Sequence, residues 1–265
     1  FSTGGSYDRD HLDDRLTRGG PLAAKPAAWT ARIGVDSDLR KPVTLNVNLD
    51  SGGDRAGSWS RGAFVSLGVR TSARWNLLFG PSIVRLHQDA QYVSTVADST
   101  MTGTFGQRYI FAALNQTEVS LVTRLNYTFT PNFTLELYLQ PLVSNGVYGA
   151  PKEFQTPSGY RFATYGKDLG ALSKTGTSYA IDPDGPGLAS SFSLNDPSFT
   201  TRSLRGNAVL RWEYRPGSTL YLVWQQERLN GDRLADFEIG RALGTLLSGR
   251  SNHVVVVKWS YRFNP

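Results

Sequence analysis

The chain has 265 residues, with 28 lysines and arginines against 22 aspartates and glutamates, a formal charge of +6. It contains no cysteine, which excludes a disulfide framework, thiolate-ligated zinc and a cysteine nucleophile. A hydrophobic share of 40% suits a folded protein and not a disordered one. No run of about 18 apolar residues offers a transmembrane helix, although β-strands cross a bilayer in about ten alternating residues and escape that test. The basic residues are scattered singly and form no phosphate-binding patch, so nucleic acid is not an expected partner. The chain opens on Phe1 and not Met, as a processed or partial chain does, and an upstream signal peptide is compatible with it.

Period-two alternation of Thr, Val, Tyr, Phe, Trp and Leu with polar residues dominates, broken by Gly, Pro, Asn and Asp. It predicts ten strands, roughly at 1–7, 27–36, 43–50, 58–70, 74–89, 108–129, 133–147, 203–215, 218–228 and 253–263. After the first, "YDRDHLDDR" gathers Asp8, Asp10, Asp13 and Asp14 around His11. Arg9 and Arg15 interleave, so a solvated loop is expected there and not a cation site. In "EVSLVTRLNYTFTPNFTLELYLQP", Val119, Leu121, Leu125, Tyr127 and Phe129 alternate with Ser120, Arg124, Asn126 and Thr128. "TPN" turns the chain, and Phe133, Leu135, Leu137 and Leu139 return opposite Thr134, Glu136, Tyr138 and Gln140. Asp182 and Asp184 in "IDPDGPG" are weak metal candidates: a calcium loop needs further oxygen ligands and a closing bidentate Glu, and an Asp-Pro, Asp-Gly turn is expected instead.

"RGNAVLRWEYRPGSTLYLVWQQER" is the clearest hairpin. Ala208, Leu210, Trp212 and Tyr214 share one face; Arg211, Glu213 and Arg215 share the other, and "RPGS" turns tightly. "RLADFEIGRALGTLL" (Arg233 to Leu247) alone has helical spacing and predicts a short helix or irregular plug. In the final "NHVVVVKWSYRFNP", Val255, Val257, Trp259, Tyr261 and Phe263 oppose Val254, Val256, Lys258, Ser260 and Arg262.

Short connections ("SDLRKP", "TSA", "PN", "RPGS") alternate with longer polar ones ("SGGDRAGS", "DAQYVSTVADSTMTGTFGQ", about 145–201 and about 229–252). Outer-membrane barrels alternate in this way, with short periplasmic turns and long extracellular loops. Aromatics also gather where strands meet turns, as an interfacial girdle does: Tyr127 and Phe129, Trp212 and Tyr214, and Trp259, Tyr261 and Phe263. Full charges on the opposite face suit a wet lumen: Arg124, Glu136, Arg211, Glu213, Arg215, Lys258 and Arg262. The expected fold is therefore all-β: a single domain over 1–265, an antiparallel transmembrane barrel or the C-terminal portion of one.

Four stretches, "LDDRLTRGGPL", "DAQYVSTVAD", "RYIFAALNQTEVSLVTRLNYTFTPNFTLELYLQPLVSNGVYG" and "SLRGNAVLRWEYRPGSTLYLVWQQER", together resemble the C-terminal barrel region of the DUF5916 family of bacterial outer-membrane proteins. The resemblance runs nearly end to end. It implies a signal peptide and an N-terminal family-9-like carbohydrate-binding sandwich ahead of a large barrel; neither the sandwich nor the first part of that barrel is in this chain, which would be its closing portion. It also implies glycan-related work at the cell surface. The family offers no established catalytic residue to carry over.

The residues contain no G-x-S-x-G, H-E-x-x-H or P-loop. Glu136 and Glu213 are expected to pair with Arg124, Arg211 or Arg215 rather than to act as glycosidase carboxylates. The expected function is a pore or surface scaffold in the bacterial outer membrane, without catalysis or cofactor, with an anion-favouring lumen. Phe263 would supply the C-terminal aromatic read by barrel-assembly machinery. The expected partners are lipid, lipopolysaccharide, that machinery and glycans. Two alternatives stand beside it: a loop-based carbohydrate-binding or adhesion module on a plugged barrel, and a soluble β-sandwich hydrolase or lectin.

Overall fold

The computed structural model describes residues 1–232, 244, 246 and 250–263. Its strands are β1 (Ser2–Asp8), β2 (His11–Asp13), β3 (Ala23–Lys25), β4 (Ala28–Asp36), β5 (Val43–Asp54), β6 (Trp59–Ser72), β7 (Trp75–Ala97), β8 (Gln107–Thr130), β9 (Phe133–Tyr148), β10 (Lys152–Phe154), β11 (Phe162–Thr164), β12 (Ala171–Thr175), β13 (Ser178–Asp182), β14 (Phe192–Asn195), β15 (Phe199–Arg215), β16 (Ser218–Asp232) and β17 (Ser251–Ser260). The ten long ones coincide with the ten predicted from alternation. They form one antiparallel sheet in the order β1-β4-β5-β6-β7-β8-β9-β15-β16-β17. Among the described residues the sheet does not close: β1 pairs only with β4 and β17 only with β16. The barrel expected from the sequence is thus seen as an open antiparallel wall.

The turns at 37–42, 73–74, 131–132 and 216–217 share one edge, here the lower edge. At 216–217, Gly217 adopts φ 78°, which its missing Cβ permits. The upper edge differs from the sequence reading in two places. The first half of "SGGDRAGS" is strand: β5 runs to Asp54 and β6 resumes at Trp59, and the Asp54 carboxylate ties residues 55–58 into a tight turn by accepting the backbone N–H groups of Ala56 and Ser58 (both 2.9 Å). "DAQYVSTVAD" is strand too. Bulges between Gln88 and Gln91 and between Tyr92 and Ser94 carry β7 on to Ala97 while breaking the alternation. The helical spacing over Arg233 to Leu247 falls outside the described residues, apart from Gly244 and Leu246.

Above the wall a cap is built on the upper end of β8. Alternate β8 residues feed two buried clusters. Tyr109 and Phe111 pack with Ala23, Ala90 and Phe154, and Ile110 packs with Tyr165, Tyr179 and Ile181. β10 pairs with β8 and β11, β12–β14 form a small separate sheet, and β2–β3 a hairpin. The buried core lies mainly here, whereas the wall below has largely half-buried or exposed side chains on both faces.

Candidate functional site

Residues directly opposite in an antiparallel pair share a face, so the register sorts every wall side chain. Val257, Leu222, Leu210, Leu135, Tyr127 and Trp75 form one cross-strand row, and Leu77, Val69 and Val43 continue the same face. Ile33, Val35, Leu45, Val47, Leu49, Val65, Leu67, Phe79 and Ile83 complete it towards β4. The other face carries, among the described side chains, every carboxylate of the ten strands up to the first β7 bulge: Asp8, Asp36, Asp50, Asp54, Glu118, Glu136, Glu213 and Glu227. None lies on the apolar face. Large apolar side chains there are nonetheless exposed, among them Leu49 at 49% and Val257 at 63%.

Aromatics bound the apolar face above and below. The upper row runs Tyr7, Trp29, Gly53, Trp59 and His87 as successive partners. Gly53 leaves room for the neighbouring Trp29 indole, whose Nε1 would lie 3.3 Å from an added Cβ. The lower row includes Trp75 and Tyr127, then Phe133, Trp212 and Trp259. Ring contacts extend it: Tyr127–Phe129 (4.7 Å), Phe129–Phe133 (4.8 Å), Trp212–Tyr214 (6.0 Å), Trp259–Tyr261 (6.0 Å) and Tyr261–Phe263 (4.7 Å). All seven aromatics singled out from the sequence, Tyr127, Phe129, Trp212, Tyr214, Trp259, Tyr261 and Phe263, are therefore together at the lower edge.

The polar face is concave. Side chains from β5, β6, β7, β8, β9 and β15 line one recess of about 820 Å³, including Asn46, Arg70, Asn76, Arg124, Asn126, Glu136, Tyr138 and Asn207. Arg124 stands 5.4 Å from the Tyr138 ring centroid. A second recess of about 600 Å³ continues along β15–β17 past Arg205, Gln225 and Glu227. The sequence-predicted charges distribute as follows. Arg124 and Glu136 line the large recess. Glu136 makes no ion pair or hydrogen bond among the described residues, so the expected cross-strand pairing is absent at this position. Arg211 and Glu213 bond to each other along one strand at 3.2 Å. Lys258 lies 5.9 Å from the Tyr221 ring on the same face. Arg215 follows a β15 register shift and donates to the Tyr261 hydroxyl at 3.1 Å, which brings it to the lower aromatic row. Arg262 lies at the 216–217 turn, its backbone N–H on Ser218 Oγ at 3.0 Å and its side chain over Gly217.

Asp182 and Asp184 accept backbone N–H groups of their own turn, from Gly185 (2.9 Å) and Ala189 (3.0 Å). Asp10 and Asp13 likewise serve Ala27, Arg15 and Leu16 N–H groups. No cluster of three or more His, Asp or Glu suited to a metal ion occurs among the described residues.

One constellation escaped the sequence. In the cap, Arg108 donates to Asp98 and Glu153, both at 2.6 Å, and the Tyr165 hydroxyl donates to the same Glu153 carboxylate; Arg108 and Glu153 are buried. Burial opposes the guanidinium's charge, but its bonds to Glu153 and Asp98 outweigh that and raise its pKa. Burial, reinforced by Glu153, pushes the Tyr165 phenol well above its ordinary value. A second pair flanks it: Lys152 bonds Asp89 at 3.0 Å, and burial with the nearby Asp89 charge raises the Tyr160 phenol. Arg108 and Glu153 are 45 residues apart, and no local motif marks them.

Compared with known proteins, residues 7–264 match the model of a family described as a domain of unknown function, DUF5916. No curated protein and no solved structure matches.

Proposed function

Since the chain belongs to the DUF5916 family, whose described function is unknown, we propose its role from the two faces of the wall: it is part of an outer-membrane barrel, with the apolar face towards lipid and the concave polar face lining an aqueous lumen. The observation that carries the reading is the partition of carboxylates, eight described on one face and none on the other. A soluble wall exposed on both sides has no physical reason to keep one side free of acids, while a lipid-facing side does. The aromatic rows supply a scale. The twelve residue steps from Trp75 to His87 span about 40 Å along the strand, and a tilt of about 45° reduces this to about 28 Å of height. That is close to the roughly 25 Å apolar band of outer-membrane barrels. The open edges at β1 and β17 would pair with strands outside the described sheet, because unpaired backbone groups are untenable in hydrocarbon.

In this reading the loop-bearing upper edge faces the cell exterior and the lumen passes small polar solutes without chemistry. On the polar face the pairs Arg32–Asp50, Arg205–Glu227 and Arg211–Glu213 cancel, while in the large recess Arg70 and Arg124 outnumber Glu136 and favour anions there. The test is single-channel recording of the full chain in planar bilayers. Conductance steps with anion preference are expected, and Arg124→Glu should shift the reversal potential towards cations. Stable insertion without conductance would favour a plugged, surface-binding scaffold, in which the folded cap over β8 does the work. Failure to insert into lipid would overturn the membrane reading.

A further inference from the structure

Arg61 and Arg85 are direct cross-strand partners on the apolar face. Both are exposed, and neither makes an ion pair or hydrogen bond among the described residues. Two like charges set opposite each other are unfavourable unless something neutralises them. The wall offers nothing that can, since the described carboxylates of the strands at this level point to the other face. Trp59, one alternate position above, holds Arg61 by its ring (5.3 Å), which leaves the guanidinium N–H groups free to donate outwards. Ser51 lies directly beside Arg61 and Thr117 directly beside Arg85, so a hydroxyl flanks each end of the pair in one row. Immediately above runs the Trp59–His87 level of the upper aromatics, and below come Ala63, Val65, Pro81 and Ile83.

We propose that Arg61 and Arg85, flanked by Ser51 and Thr117, bind the phosphate of a membrane lipid headgroup at the loop-bearing edge. The inference rests on the membrane reading given above. Two guanidiniums side by side match the several oxygens of a phosphate and can bind it in a forked, charge-assisted way. The surroundings select the rest of the ligand. A free anion or an acidic peptide would have no use for the hydrocarbon-lined surface below the pair. A phosphorylated lipid brings phosphate and acyl chains in that vertical order. The site also removes an apparent fault in the wall, because cations near the bilayer become favourable when a headgroup phosphate meets them at the interface.

The test compares the full chain with R61Q/R85Q and, as a control of equal charge change, R9Q/R15Q on an upper loop. Each protein is delipidated in non-ionic detergent and titrated with phosphatidic acid or phosphatidylcholine, and bound lipid is counted by native mass spectrometry. The wild type and R9Q/R15Q are expected to retain phosphatidic acid over phosphatidylcholine, and R61Q/R85Q to lose about tenfold of that retention. R61K/R85K should fall between them, because lysine keeps the charge but not the fork. Equal retention by wild type and R61Q/R85Q would overturn the site. Flotation with phosphatidylcholine vesicles separates the two claims. If all variants float, a negative lipid result counts against this site alone; if none floats, the membrane reading fails and the site with it.

Discussion

Leu121 and Val122 are adjacent on β8 and point to opposite faces, Leu121 beside Pro81 and Val122 beside Gly80. Leu121→Arg and Val122→Arg therefore deliver the same charge to the two faces at one height. Six residues, about 20 Å of strand, separate Leu121 from Tyr127 in the lower aromatic row, and as many separate it from Asn115 at the level of His87. Leu121 thus lies near the middle of the apolar band. A lipid-facing arginine at the midplane costs about 2–4 kcal/mol, and near the interfaces about 0–1 kcal/mol. A lumen-facing one meets water and Gly80 and should cost about 0.5 kcal/mol or less. A difference of about 3 kcal/mol is a shift of over a hundredfold in the folding equilibrium. Urea-dependent folding into phosphatidylcholine vesicles, followed by tryptophan fluorescence and heat-modifiable gel mobility, measures it. Thr130→Arg, opposite Phe133 at the lower row of the same face, should recover most of the cost. Leu121 is already half-exposed, so in water neither substitution has a reason to be severe. Equal costs at 121 and 122, or no dependence on depth along the face, would refute the orientation of the wall.

Removing the buried carboxylate in Glu153→Ala strips Arg108 and Tyr165 of one partner and leaves Arg108 with Asp98 alone. Breaking a buried ion pair costs about 3–5 kcal/mol. Hydrogen exchange should show β10 and β11 opening by the lower end of that range while β4–β6 keep their protection, and unchanged protection would remove the network's structural role. The phenols of Tyr160 and Tyr165 are raised above 10.0, so the folded cap holds their protons more tightly than the unfolded chain does. Their contribution is intact below about pH 10 and is lost as pH rises beyond it. Spectrophotometric titration of the 12 tyrosines should therefore contain a late, cooperative fraction that coincides with loss of cap protection. Asp98 acts in the opposite direction: bonded by Thr100 and Arg108, its carboxyl lies below 3.8, and its contribution disappears only as pH falls through that lowered value.

The wall was legible because a strand with one apolar and one polar face shows them at period two, and a single alternating run of ten residues is enough to read them. "LNYTFT" and "VVVVKWS" carry both the strand and its face. The cap was not legible. β7 passes two bulges above Gln88, and each shifts the parity on which the reading depends, so "DAQYVSTVAD" looked like a loop. β10 and β11 have three residues each, too short for any period, and their partner Arg108 is distant in sequence. The pairing expected for Glu136 failed for a different reason. Residues opposite it were Asn126 and Val209, and the arginine on β8 lies two positions away, turned onto Tyr138.

β8 is one uninterrupted strand, open on both faces in the wall and buried on both faces from Arg108 to Ala112. A single rigid ladder is thus both rail and keel: the cap has no hinge at its base. It cannot swing aside as a lid without breaking the β8–β10 pairing and the bonds of Arg108, so access past it has to be found around its rim. The same continuity divides the upper edge for engineering. The 55–58 turn is available for grafted peptides, whereas any exchange reaching 107–112 or 152–154 would dismantle the cap from its foundation.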